Sequence, residues 1–206
     1  WRRGEARRPR GTPPTRLRGH PACAGGARLP AGEFEGESAT AEFGNGSTTG
    51  HAQLAPSALG TTPDRIRIRQ SDTDVAGHDT GAYGSTGVVV AGKAVYQAAV
   101  ALAADPTLTE ARGHSDGTPR SVAFNAHGFR VAVHPASGEV RILRSVQAAD
   151  AGTVLNPEQL RGQIEGGTAQ AIGSALYEEV VVRDGVVETA TFRNYRVPKI
   201  SDIPPT

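Results

Sequence analysis

Val88, Ala91, Val95, Ala98 and Leu102 recur three or four residues apart, and this is the pattern that most limits what the chain can become. At 3.6 residues per turn such positions share one face, so the spacing predicts an amphipathic helix from about Ser85 to Ala103 that needs a partner surface. Ile66 and Ile68 alternate with arginines over Arg65–Arg69, as in a half-buried strand. Phe129, Val131 and Val133 alternate before the turn Pro135-Ala136-Ser137-Gly138, and Val140 and Ile142 alternate after it, which predicts a β-hairpin. Asp184-Gly185 marks the turn of a second hairpin.

Two further helices are expected. One runs from about Thr49 to Leu59, with Pro56 forcing a kink or an early end. The other starts at Asn156-Pro157-Glu158-Gln159 and runs to about Leu176. There Asn supplies a cap acceptor, Pro suits the first helical position, and Gln159 can close a capping box. Residues 105–119 read as polar loop and 192–206 as extended chain. Strands and helices interleave without strict βαβ alternation, so the class is α+β.

Residues 1–33 differ from the rest. Arg2, Arg3, Arg7, Arg8, Arg10, Arg16 and Arg18 alternate with Gly, Pro and Ala, without apolar periodicity. Such a stretch buries too little to offset its ordering entropy, so 1–33 is expected to be a disordered basic segment ahead of one domain, 34–206. The net charge of +1 argues against a general nucleic-acid partner, and no apolar run approaches the roughly 18 residues that span a bilayer. Cys23 is the one cysteine, which rules out an internal disulfide and fits a reducing compartment. The chain opens on Trp1, holds no Met and closes in a Pro-rich stretch, so it reads as a fragment.

Three glycine-rich places could carry chemistry. Gly44-Asn45-Gly46-Ser47-Thr48-Thr49 precedes a helix, where free N–H groups favour an anion, although an ordinary turn has the same composition. Gly81-Ala82-Tyr83-Gly84-Ser85-Thr86-Gly87 opens the long apolar helix, and Ser85 suits either an N-cap or a ligand contact. Gly162, Gly166, Gly167 and Gly173 lie inside the last helix, each costing about 0.8–1 kcal/mol relative to Ala. Close backbone packing would explain them, as would approach to a bulky cofactor with Gln163 and Gln170 offering amides. The segment Asp72-Thr73-Asp74-Val75-Ala76-Gly77 fails as a calcium loop because Ala76 cannot coordinate. His20, His51, His78, His114, His127 and His134 show no metal-ligand spacing, and Glu178 and Glu179 read as solvated.

In content and order these motifs resemble the large subunit of the molybdenum hydroxylases, the xanthine dehydrogenase and aldehyde oxidase family. Gly44–Thr49, preceded by Glu42, is similar to the family's G-Q-G-x-x-T loop, and Asp72-Thr73-Asp74 to its D-T-D turn. Gly81–Ser85 is similar to its G-T-Y-G-S loop. Asp150-Ala151-Gly152, Asn156-Pro157 and Gly162-Gln163-Ile164-Glu165-Gly166-Gly167 resemble its D-x-G…N-P…G-Q-I-x-G-G signature. Tyr195-Arg196-Val197-Pro198 and Asp202-Ile203-Pro204 match its Y-x-x-P…D-x-P.

The resemblance implies part of a molybdopterin-binding domain in a cytoplasmic oxidoreductase. Such an enzyme oxidises an aldehyde or an N-heterocycle with oxygen from water, and its molybdopterin can carry a cytosine dinucleotide tail. It also implies partner iron–sulfur and FAD subunits or domains in a hetero-oligomer, with a small-molecule substrate and no nucleic-acid or membrane partner. By motif match the cofactor-binding residues are Gly44, Asn45, Gly46, Gly84, Ser85, Thr86, Gly87 and Gln163. No residue is assigned to catalysis or to metal ligation. Three departures stand out: Asn45 where the family has Gln, Thr86 where Arg is frequent, and Pro56 inside a helix. The base glutamate belongs to a G-x-G-E motif expected beyond Pro204, so the chain alone is expected to be inactive. The alternative reading is a non-catalytic truncated remnant of such a subunit.

Overall fold

The computed structural model describes residues 22–75, 79, 81–82, 84–119 and 122–205, and these fall into two compact units, one before and one after residues 120–121.

The first unit is a four-stranded sheet with two helices. β1 (Ala22–Arg28) and β2 (Phe34–Ser38) are antiparallel, joined by a 3-10 turn at Pro30–Gly32. The chain then forms α1 (Ser47–Leu59) and returns as β3 (Ile66–Gln70), parallel to β2. After α2 (Gly92–Ala104) comes β4 (Glu110–Ser115), antiparallel to β1, giving the order β3-β2-β1-β4. Ala24, Ala55, Ala94, Val95 and Ala99 form the core, with Ala58, Leu59 and Ile66 packed against it.

Small residues on the inner face set how closely helix and sheet approach. A Cβ on Gly26 would meet Leu102 at 3.3 Å, and one on Gly113 would run into the carbonyl oxygen of Ala94. Arg28 then closes the far end of α2. Its guanidinium donates to the carbonyls of Leu102 and Leu108 and lies 5.3 Å above the ring of Phe34. A cation at a helix C-terminus also complements the helix dipole.

Several expectations need correction. Residues 22–28, placed in the disordered segment, are an interior strand of the sheet; residues 1–21 lie outside the described residues. The polar loop 105–119 contains β4, an edge strand whose inward residues Ala111, Gly113 and Ser115 are too small to register as apolar. Pro56 does not end α1 early, because it falls in the last turn. There its missing N–H frees one carbonyl, and its own carbonyl accepts from Gly60 in the left-handed region (φ 64°). The long helix opens as a π turn, Gly87–Ala91, continuous with α2. Gly87–Ala104 is also long and apolar enough to cross a membrane by composition, which the sequence reading did not anticipate. Ala94, Val95, Ala98, Ala99 and Leu102 are nonetheless buried within this unit, the use expected of a core helix.

The second unit holds the hairpin β5 (Phe124–Val133) and β6 (Val140–Asp150), then α3 (Pro157–Leu176) and the small hairpin β7 (Val182–Arg183) and β8 (Val186–Val187). Asn156 caps α3 as expected, its Oδ1 accepting from the Gln159 N–H at 3.0 Å. Asp184 and Gly185, at φ 48° and 80°, make the predicted β7–β8 turn. The tail is not simply extended, since Ile200–Asp202 is a 3-10 turn. Glu178 departs from expectation too. It is half-buried after the end of α3 and accepts the Tyr195 hydroxyl at 2.5 Å, which raises the Tyr195 pKa. Gly173 makes room for this clasp, because a Cβ there would collide with Glu178 and press on Pro198.

Candidate functional site

The first unit brings two of the glycine-rich loops together. Gly87 is the junction: a Cβ on it would lie 3.6 Å from Thr40 Cγ2, 3.8 Å from Ser47 Cβ and 4.0 Å from Asn45 Nδ2. Both Gly44 and Gly46 have positive φ, 96° and 74°, as does Gly84 at 63°. These left-handed turns are accessible to glycine at little cost.

Glu42 organises the first loop. Its carboxylate accepts from the N–H groups of Gly44 (2.8 Å), Gly46 (3.1 Å) and Thr48 (2.9 Å), and from the Ser47 hydroxyl (3.1 Å). The Thr48 bond leads these in pulling its pKa down from the ordinary 4.5 to about 2, against an opposing desolvation cost that outweighs any one of the other bonds. The N–H groups of Gly44 and Gly46, expected to await an anion, are thus already in use. Asn45 turns its Oδ1 back to accept from the Ser47 N–H at 3.3 Å.

Behind the loop lies a buried polar layer. Ser38, Thr40, Ser47 and His51 are each at most 1% exposed. Gln70 at the end of β3 donates to Ser47 Oγ (2.9 Å) and accepts from Thr48 Oγ1 (2.8 Å). Thr40 donates to Asp79 (3.4 Å), and Asp79 accepts from the Gly81 N–H (2.8 Å). His51 Nε2 lies 3.2 Å from the Gly87 carbonyl, and because a carbonyl only accepts, Nε2 carries the proton. Among the described residues His51 Nδ1 has no partner. Burial lowers the His51 pKa, opposed by its bond to Gly87 and by the charges of Glu42 and Asp79, so it is neutral at pH 7.

His51 and Gln70 escaped the sequence reading. His51 follows Ser47 by four residues, hence on the same face of α1, which was the available signal. Gln70 was invisible, because only strand pairing carries the end of β3 to α1. His20, His78 and Tyr83 lie outside the described residues.

Ser85 is not the N-cap of its helix. It is exposed at φ 60°, and the helix opens after Thr86, which makes no side-chain cap and donates to the Gly81 carbonyl at 3.4 Å. A non-glycine residue held left-handed costs of order 1 kcal/mol or more, and such strain tends to gather at functional positions.

Gln163 belongs to the second unit, where it is exposed on α3. Gln163, Gly166, Gly167 and Gln170 follow the i, i+3, i+4, i+7 spacing and share one face. Cβ atoms on Gly162, Gly166 and Gly167 would meet nothing within 4 Å, so close packing among the described residues does not account for these glycines.

Comparison with known proteins agrees with the motifs. The sequence matches the family described as "Molybdopterin cofactor-binding domain" over residues 22–112 and 104–204, and the chain belongs to that family, that of the molybdenum hydroxylases. It is 29% identical to the "Probable hypoxanthine oxidase XdhD" of Escherichia coli, covering 84% of this chain and 23% of that protein. It is 28% identical to the "Aldehyde oxidoreductase molybdenum-binding subunit PaoC" of Escherichia coli, covering 87% of this chain and 30% of the relative. The fold matches CO dehydrogenase from Oligotropha carboxidovorans with a TM-score of 0.83 at 23% identity, over 89% of this chain and 29% of that one. The chain therefore spans between a fifth and a third of the length of these proteins.

The residues fit a pterin cofactor in part. In the first unit, the open turn at Gly84–Ser85 and the Asn45 amide suit a polar, flat group. The N–H groups of Gly44 and Gly46 do not, since Glu42 holds them.

Proposed function

We propose that this chain supplies part of the molybdopterin site of a hydroxylase or dehydrogenase that oxidises an aldehyde or an N-heterocycle with oxygen from water. The observation that carries this reading is the meeting of the two family loops at Gly87, beside a strained and exposed Ser85. Bound molybdenum cofactor supplies the two-electron oxidation chemistry, and the protein supplies binding and orientation. Asn45 offers an amide to the pterin edge, and Gly84, Ser85, Thr86 and Gly87 present backbone and hydroxyl groups. Gly44 and Gly46 shape the loop that carries Asn45, while Gln163 adds an amide from α3.

The reading extends to partners. Iron–sulfur and FAD groups on other subunits or domains would supply the path for electrons, the complete enzyme is a hetero-oligomer, and its setting is cytoplasmic. The hetero-oligomer has its support in one relative's name, that of a molybdenum-binding subunit. The cofactor is molybdopterin, with or without a cytosine dinucleotide tail.

Metal and pterin analysis of the complete protein, purified with its natural partners, tests the proposal. Stoichiometric molybdenum is expected, and Asn45→Ala and Gln163→Ala should each lower it while the protein stays folded. A correctly folded complex without molybdenum would overturn the reading.

A further inference from the structure

The N–H groups at the start of α1 are the donors a phosphate or an anionic cofactor tail would seek. Gly44 and Gly46, turning left-handed, aim theirs at one point, the concavity known to hold anions. That point is filled from within the chain. Three backbone N–H groups and the Ser47 hydroxyl converge on the carboxylate of Glu42.

We infer that Glu42 is a positioning residue acting as the loop's own anion, so that the Gly44–Thr48 turn binds no phosphate and meets a cofactor through the Asn45 side chain. Two further features agree. Glu42 is ionised throughout the neutral range. Asn45, with Oδ1 committed to Ser47, keeps Nδ2 on the Gly87 side, 4.0 Å from where a Cβ there would stand. Only the clause about the cofactor rests on the proposed function. The closure of the loop by Glu42 stands apart from it.

The test is a titration of the full chain, Glu42→Gln and Glu42→Ala with inorganic phosphate, read by proton–nitrogen amide spectra. In the unmodified chain the signals of Gly44, Gly46 and Thr48 should not respond to phosphate on the order of 10 mM, well above a millimolar dissociation constant. Glu42→Gln should move those three signals together and leave those of Val95 and Leu102 in place. Glu42→Ala should gain a saturable response to phosphate at the same three amides. A phosphate response in the unmodified chain equal to that of Glu42→Ala would overturn the inference, as would indifference of the three amides to Glu42→Gln. Should Glu42→Ala fail to fold, the near-isosteric Gln variant decides through its amide shifts. No cofactor enters the experiment, so its outcome is separable from that of the molybdenum analysis.

Discussion

The two units solve the problem of burial differently. In the first, two helices cover a sheet, and Ala94, Val95, Ala98, Ala99 and Leu102 are at most 4% exposed. In the second, Phe124, Val131, Val133 and Leu143 on the long hairpin are each about half exposed or more, and Ile172 is the one buried hydrophobic among the described residues. The first unit owns a core, with its polar site built directly on it. The second presents apolar strands and a glycine-laden helix to its surroundings. The difference teaches that the buried layer behind Asn45 and Gly87 is held by local packing, whereas Gln163 sits on a helix with little core of its own.

Substitutions should expose that contrast. Leu102→Ala removes a side chain that is 1% exposed and should cost about 2–5 kcal/mol of unfolding free energy by denaturant titration. Val133→Ala, at 57% exposed, should change stability by less than about 1 kcal/mol. Equal losses at the two positions would break the comparison.

The α3 glycines sharpen it. Gly162→Ala and Gly167→Ala meet open space and should each stabilise the chain by about 0.8–1 kcal/mol, raising the melting temperature. Gly173→Ala should do the reverse, since its methyl displaces Glu178 from Tyr195. A destabilising Gly162→Ala would show that this face is covered.

Acid should separate the units more gently, because Glu42 is largely exposed and its interactions are screened. Its folded pKa of about 2 lies below the ordinary 4.5, so its contribution is complete above pH 4.5 and is lost as pH falls toward 2. His51 adds a loss that begins below its ordinary 6.5, because the unfolded chain takes up a proton there before the folded one. Glu42→Gln should flatten the lower part of the profile and His51→Gln the upper part. Profiles unchanged by either variant would detach both groups from the stability of the first unit.

Much of this was legible in residue order. The α2 face, the Asn156 cap, both hairpin turns and the family motifs are local, set by periods of 3.6 and 2 and by turn chemistry acting within a few residues. What escaped depends on neighbours distant in sequence. β1 and β4 present Ala24, Gly26, Ala111 and Gly113 inward, and such small residues register as loop until a helix is seen lying on them. The anion of the first loop proved to be Glu42, and His51 and Gln70 gained their partners only when β3 and the Gly87 turn came beside α1. A hydrogen bond needs a partner within about 3 Å in a fixed direction, a condition that tertiary packing decides and local pattern does not carry.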